Sequence, residues 1–415
     1  MPTRLTLLFR VFPPFAFGYF LSYLYRTVNA VIAPDLMRDL TLEPASLGLL
    51  TSAYFLAFAA FQLPLGLLLD RFGARRVEAI LLVFAAAGAL VFSLAQTLPI
   101  LLLGRALIGL GVSACLMAAF KAFRTWLPTD KLPLANGIQM VSGGIGALAA
   151  TAPVEMALRF TDWRGLFMIL SGLTLVAALI IYLAVPEQPQ TERRESLIQQ
   201  LSGLRDVFTS RDFWSIAPWA FTSQAAYLAI LGLWSGPWLS DVAGLDRMQL
   251  ANVLMGISIA MICGYFLFGA LAERLSRIGI PPSTVAASGM SGFMLIQLLL
   301  VFRLESLYLP LWLGFGLFGT CCILPYAILS QVFPPHLSGR ANTGLNLLVF
   351  TSAFAAQWVI GVIVGLWPVG VGQYAPIGYS AGFGLILLFE IAAAGWYFFC
   401  RRKLMPVKKN SLDKT

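Results

Sequence analysis

Ionisable groups are scarce in this chain. Asp, Glu, Lys and Arg make up only 11% of the 415 residues, and histidine occurs once, at His336. A soluble helical domain needs a charged face on each amphipathic helix, and so few charges cannot supply them. With one histidine and carboxylates scattered along the chain, no metal triad, clustered nucleophile or acid–base pair is in sight. Neither an enzyme nor a metal site is therefore expected. The five cysteines, Cys115, Cys263, Cys321, Cys322 and Cys400, show no metal-ligand spacing and no disulfide framework, and nothing calls for a cofactor. Extended polar segments are missing too: apart from residues 186–211 every loop is short, which leaves no room for a catalytic or ligand-binding domain outside the apolar bulk.

What is abundant is apolar length. Hydrophobic residues make up 59% of the chain, and the mean hydropathy is +0.82. Crossing a hydrocarbon layer of roughly 30 Å takes about 20 apolar residues. Runs of that kind lie near 9–33, 47–69, 77–96, 99–120, 133–157, 164–185, 213–238, 249–272, 282–302, 307–331, 342–366 and 376–400. The pattern predicts an all-α membrane protein of twelve transmembrane helices, numbered 1 to 12 below. The first run is too long for a signal peptide and contains Arg26 and Asn29, so it is expected to stay attached. Residues 1–185 form an N-terminal six-helix half, 186–212 a cytoplasmic linker, 213–400 a C-terminal six-helix half and 401–415 a basic cytoplasmic tail. Within the linker, Leu197, Ile198, Leu201, Leu204, Val207 and Phe208 keep a helical apolar stripe. They read either as a short amphipathic helix on the membrane surface or as part of a solvated tether.

The net charge of +9 does not point to nucleic acid. With both termini placed inside, 21 of the 28 Lys and Arg residues fall in cytoplasmic segments, 5 in outer loops (Arg38, Arg159, Arg164, Arg247 and Arg303) and 2 within helices (Arg26 and Arg105). Basic residues in short loops are retained on the inner side, so the excess is topological, and a contact of the tail with lipid headgroups is compatible with it. The expected location is a bacterial inner, or plasma, membrane.

The two halves echo one another. GLLLDRFGARR at Gly66–Arg76 returns as GALAERLSR at Gly269–Arg277, and Leu127-Pro128 with Ala135-Asn136 returns as Phe333-Pro334 with Ala341-Asn342, at offsets of 203 to 206 residues. Such duplication is a mark of secondary transporters. Asp70, Arg71 and Arg75 around the Gly73 turn, with Glu273 and Arg274 in the second copy, can bond helix-end carbonyls and opposing carboxylates and so latch a gate. The plainer alternative is that these arginines only fix topology.

These motifs resemble the major facilitator superfamily over nearly the whole length. GLLLDRFGARR resembles its signature between helices 2 and 3, GALAERLSR the weaker second copy, and Arg105, Gly109 and Gly111 in GRALIGLG its pattern on helix 4. The glycines of SGGIGALAATAP, Ser142–Pro153, partly resemble a helix 5 pattern strongest in exporters. The resemblance implies two halves rocking about a cavity lined by helices 1, 4, 7 and 10, with Asp70, Arg71, Arg75 and Arg105 among the gating residues.

Arg26 is the sharpest individual signal. At mid-helix it lies near mid-bilayer, where a guanidinium costs roughly 2.5–3.5 kcal/mol even on insertion scales. It must face a wet cavity or a partner. Ser22, Tyr23 and Asn29 share its helical face, and the planar fork suits a carboxylate, sulfonate or phosphate. The alternative is a structural ion pair. Gln224 and Tyr227 on helix 7 and Tyr326 on helix 10 are further binding candidates, with Tyr54 and Gln62 on helix 2, Gln139 on helix 5, and Asn346 and Gln357 on helix 11 weaker ones. Trp238, Tyr308 and Trp312 read as an interfacial aromatic belt. For a coupling proton the candidates are Glu155, whose spacing to Arg159 also fits a surface pair, and Glu390 in the middle of helix 12. The chain is thus expected to be a monomeric secondary transporter for a small organic anion, coupled to protons. Export of a drug-like amphipathic compound by proton antiport is the alternative.

Overall fold

In the computed structural model, residues 4–127, 132–187, 205–370 and 373–404 are described. The stripe through Leu197, Ile198, Leu201 and Leu204 lies outside them, as does the tail from residue 405. The molecule is helical almost throughout. Among the described residues, ten helical stretches are long and apolar enough to cross a membrane, from Pro44–Gln62 through Pro376–Cys400. The other two expected spans are helical but interrupted. Helix 1 runs Arg4–Thr27 and then Asn29–Leu40, and helix 5 runs Leu132–Ala149 and then Ala152–Ala157. Arg26 and Asn29 dilute the apolar run of the first, and Thr151 breaks the second.

Breaks recur in the middle of helices 4, 7 and 10 as well. Helix 4 divides into Leu98–Gly111 and Cys115–Trp126. Helix 7 carries a π-helical turn at Ile230–Trp234, and helix 10 a 3-10 turn at Thr320–Ile323. In helices 1, 5, 7 and 10 a proline follows within two turns: Pro34, Pro153, Pro237 and Pro325. Proline cannot donate to the carbonyl one turn back, and its ring crowds that carbonyl, which bends the helix just before it. Helix 4 has no proline there; Ser113 instead donates its hydroxyl to Leu110 O at 2.7 Å.

Helices 2 and 3 form one run, Pro44–Leu94, turned at Gly73, whose φ of 77° and ψ of 162° suit glycine. Between helices 11 and 12 a two-stranded antiparallel ladder, Pro368–Gly370 with Gln373–Tyr374, adds an element that the apolar pattern does not announce. Trp238 and Trp312 are fully buried and meet edge to face at 5.5 Å. They are core residues of the C-terminal half, not a belt facing lipid, because a helical stripe does not say which face meets the bilayer.

Helix 5 shows why glycines cluster there. A Cβ on Gly143 would press on the rings of Tyr19 and Tyr23, one on Gly144 would stand 2.6 Å from Ile262 of helix 8, and one on Gly146 would fall on the Phe20 carbonyl. Only bare backbone lets helix 5 approach helices 1 and 8 this closely, and such small-residue contacts carry membrane helix packing. Gly146→Val should therefore lower stability by about 1–3 kcal/mol, the usual cost of overpacking. A thermal unfolding midpoint equal to that of the wild type would contradict this packing.

Candidate functional site

A cavity of about 470 Å³ lies between the halves. Its lining comes from helices 1 (Tyr19, Ser22, Tyr23, Arg26), 2 (Phe58, Gln62), 4 (Val112, Ser113, Leu116), 7 (Gln224, Leu228), 10 (Ile323, Tyr326) and 11 (Asn346, Val349, Phe350). It extends from Arg26 to Phe120, Gly339, Asn342 and Thr343, near the ends of helices 4 and 11 on the face where helix 1 begins and helix 12 ends. A smaller cavity of about 230 Å³ in the C-terminal half, beside Trp219 and Tyr397, has no charged lining residue.

Arg26 sits among aromatic rings from both halves. Its Cζ lies 4.7 Å from the ring centre of Tyr23, 5.3 Å from Phe350, 5.5 Å from Phe58 and 5.9 Å from Tyr54. Cation–π contact of this kind contributes roughly 0.5–2 kcal/mol each as water is excluded. No ion pair to Arg26 is found among the described residues, and its buried Nε has no hydrogen-bond partner. The rings hold the guanidinium without neutralising it, which leaves its charge available to the cavity.

Next to it a polar chain crosses from one half to the other. Tyr326 OH donates to Asn346 Oδ1 at 3.0 Å, and Asn346 Nδ2 donates to Gln62 Oε1 at 3.1 Å. Gln224 lines the same cavity, with its buried Oε1 lacking a partner. Arg26, Tyr23, Gln224, Tyr326 and Asn346 are thus brought together. Tyr227 is not: its ring packs on Phe315 and Phe293 inside the C-terminal half. Asn29 is buried outside this lining, its Oδ1 without a partner. Gln139 donates to Phe15 O at 3.1 Å and ties helix 5 to helix 1.

The opposite face is closed. A Cβ on Gly236 of helix 7 would fall on the Ala30 carbonyl of helix 1, and one on Gly48 of helix 2 would stand 2.8 Å from Gln357 O of helix 11. Above these crossings, Arg247 of helix 8 donates both terminal nitrogens to Asp35 of helix 1 at 2.8 Å and is also bonded to Glu155 of helix 5 at 3.1 Å. Glu155 therefore faces Arg247, not Arg159. Arg247 is the residue that reading the sequence as an outer-loop arginine leaves unassigned. Its only advance signal is its place in the first turn of a helix.

The remaining charged candidates disperse. Glu390 is fully buried in the C-terminal half and accepts a hydrogen bond from Gln297 at 2.6 Å. Arg105 is fully buried, donates to Tyr25 O at 3.3 Å and lies over Phe92 and Phe167, all within the N-terminal half. Arg75 stacks on Tyr182 at 4.8 Å, Arg71 on Phe72 at 5.2 Å. Glu273 pairs with Arg277 at 2.6 Å and Arg274 is exposed, while the Asp70 side chain lies outside the described residues.

The sequence profile of the Major Facilitator Superfamily matches residues 15–357. A probable sulfoacetate transporter of Cupriavidus necator is 23% identical over 366 residues, covering 82% of this chain and 85% of its own length. The hexuronate transporter of Escherichia coli K12 is 27% identical over 406 residues, covering 91% and 90%. In fold, the chain is similar to a bacterial homolog of the human lysosomal transporter Spinster solved in an inward-facing, occupied conformation. The TM-score is 0.76 at 18% identity, covering 95% of this chain and 97% of that one.

The ion cluster generates a direct expectation. A hydrogen bond to a charged group contributes about 1.5–3 kcal/mol, and the 44% exposure of Arg247 reduces that by solvent screening to about 1 kcal/mol, roughly a fivefold shift in population. In a cysteine-free background, Arg247→Ala should raise the labelling rate of a cysteine at buried Leu36 several-fold for a reagent applied to the closed face. An unchanged rate would mean that the cluster does not hold that face shut.

Proposed function

The chain belongs to the Major Facilitator Superfamily, and from that premise we propose that it is a secondary transporter which moves a small organic anion through the cavity at Arg26. The observation that carries this reading is the uncompensated guanidinium: a partly buried cation among aromatic rings, facing a polar chain, with no carboxylate paired to it among the described residues. A monoanionic carboxylate or sulfonate supplies the missing charge, and the planar fork can grip it with two parallel hydrogen bonds. Gln62, Asn346, Tyr326 and Gln224 then offer donors and acceptors to the rest of a hydroxylated or otherwise polar body. The names of the relatives, transporters of sulfoacetate and hexuronate, support the same substrate class.

The conformation suggests how the site is used. With the halves sealed beside Arg247 and the cavity reaching the face that carries the termini, the state corresponds to one end of an alternating-access cycle. We place the termini in the cytoplasm of a bacterial cell, on the strength of the basic-residue asymmetry, and take the transporter to act as a monomer. Drawing a monoanion into a negative-inside cell at 100 mV costs roughly 2.3 kcal/mol, so at least one cation has to accompany it, and a proton is the simplest. Export of an amphipathic compound is the second reading, favoured by the apolar lining of Phe58, Phe120, Val349 and Phe350.

Ligand-induced stabilisation of purified variants tests the assignment. Hexuronate and sulfoacetate should raise the unfolding temperature of the wild type, since a ligand stabilises by RT ln(1 + [L]/Kd). Arg26→Ala should bind about 10- to 100-fold more weakly, from the roughly 1.5–3 kcal/mol of a charge-assisted bond, while its ligand-free unfolding temperature shows that it folds. Arg26→Lys keeps the charge but loses the fork, and should transport about tenfold less. An Arg26→Ala protein that binds its anion like the wild type would overturn the proposal.

A further inference from the structure

One buried acid has no part in the account so far. Helix 3 is apolar from Val77 to Leu94 except for Ser93 and for Glu78, which is fully buried, with neither carboxylate oxygen satisfied by a geometric hydrogen bond. Three elements pack against it. Helix 1 presents Gly18, where a Cβ would stand 2.6 Å from Glu78 Oε1 and 3.7 Å from Ile181 of helix 6. Helix 4 presents the thiol of Cys115, the one titratable group facing it, and no charged group faces it among the described residues. An ionised carboxylate is not kept in such a place without a donor, so the group rests there as the neutral acid.

The place is close to the cavity. Gly18 and Cys115 are each followed by a lining residue, Tyr19 and Leu116, so Glu78 stands one layer behind the wall, and at Gly18 that wall is bare backbone. Cys115 is also the first residue after the break in helix 4. Tilting of the Cys115–Trp126 piece would draw the thiol away and admit cavity water to the carboxyl.

The C-terminal half offers an internal control. Ser223 falls 205 residues after Gly18, and Cys321-Cys322 fall 206 and 207 after Cys115, the offset of the internal repeat. Facing that second set is another buried carboxyl, Glu390, which enters from helix 12. One oxygen of Glu390 accepts from the amide of Gln297 while the other has no partner; Glu78 has no amide beside it, only the thiol of Cys115. A carboxyl held by an amide is tied into the packing, whereas one that meets only a weakly donating thiol contributes little to packing that a glutamine would not.

We propose that Glu78 is the site that carries the coupling proton, which rests on the reading of the chain as a proton-coupled anion transporter. In the conformation seen, the carboxyl O–H is intact. When helix 4 tilts, that bond breaks with its electron pair left on oxygen, and the proton passes to water in the cavity. The carboxylate takes up a proton again from the other side once the halves have rocked. Gly18 lies eight residues before Arg26 on helix 1, about 12 Å along the axis at 1.5 Å per residue. Anion and proton thus ride on the same half without competing for one position.

The test uses the full chain in liposomes. In the wild type, dicyclohexylcarbodiimide, which adds to neutral carboxyls in apolar surroundings, should modify Glu78 at neutral pH, as read by mass spectrometry, and at least tenfold less at strongly alkaline pH. Absence of that modification overturns the proposal. Glu78→Gln should keep wild-type exchange of hexuronate across the bilayer while losing accumulation driven by a pH gradient at least tenfold. Undiminished accumulation overturns the proposal, and so does loss of exchange in step with accumulation. If Glu78→Gln does not fold, Glu78→Asp should retain accumulation with a displaced pH midpoint, and an unmoved midpoint counts against the site. A wild type that exchanges neither hexuronate nor sulfoacetate counts against the anion reading instead, and the carbodiimide result then decides Glu78 by itself.

Discussion

A guanidinium in the middle of a membrane protein has to be compensated somewhere, and much of this molecule is arranged around how Arg26 is left. Its charge has no ion-pair partner among the described residues, and it lines the cavity between the halves. Four aromatic rings surround it at 4.7 to 5.9 Å, and one of them, Phe350, comes from the opposite half. Rings shield the cation while leaving it electrostatically open, because a quadrupole attracts a positive charge but does not cancel it. An anion entering the cavity therefore meets an unspent charge in a setting of low dielectric, where electrostatic attraction is stronger than in water. Since the rings belong to both halves, the geometry of the site depends on how the halves sit, as the proposed alternating-access cycle requires.

The same division between charge and packing organises the closed face. Glycines at helix crossings bring helix 7 onto helix 1 and helix 2 onto helix 11, and the Asp35–Arg247–Glu155 cluster spans helices 1, 5 and 8 above them. Glycine contacts provide a close fit that separates without leaving polar atoms behind. The ion cluster is partly exposed at Arg247, so in the proposed cycle its groups can exchange one another for water when the face opens. Mid-helix breaks in helices 1, 4, 7 and 10 give the lining helices places to bend next to the site, so motion at either face need not deform whole helices.

The fold was legible because a bilayer imposes a long, simple signal. Apolar runs, the 203- to 206-residue repeat and the Gly66–Arg76 motif were enough to anticipate two helical halves. Arg26 was legible for a related reason: cost at mid-bilayer depends on depth, and depth is read by counting residues. Partnerships across the interface were not. Arg247 meets Asp35 over 212 positions, and no local spacing encodes such a pair, whereas the nearby Arg159 offers Glu155 a plausible but unused partner. Tyr227 and Trp312 share the aromatic stripes of their helices with true lining residues, and only packing decides which face looks inward. Glu78 was not singled out, since it stands at the very start of the apolar run 77–96, directly after Arg75 and Arg76. Its burial depends on the bare backbone at Gly18, a residue that carries no chemistry of its own.

Charge recognition at Arg26 is the claim on which the functional account stands. It is tested most directly by titrating the purified wild-type protein calorimetrically with a matched pair of ligands, a hexuronate and its uncharged carboxamide, which share shape and hydroxyl pattern. Binding of the carboxylate, with the carboxamide at least tenfold weaker, is the result this account predicts. Equal affinity for the two would contradict it, because recognition would then rest on the apolar and polar lining, with the guanidinium a bystander.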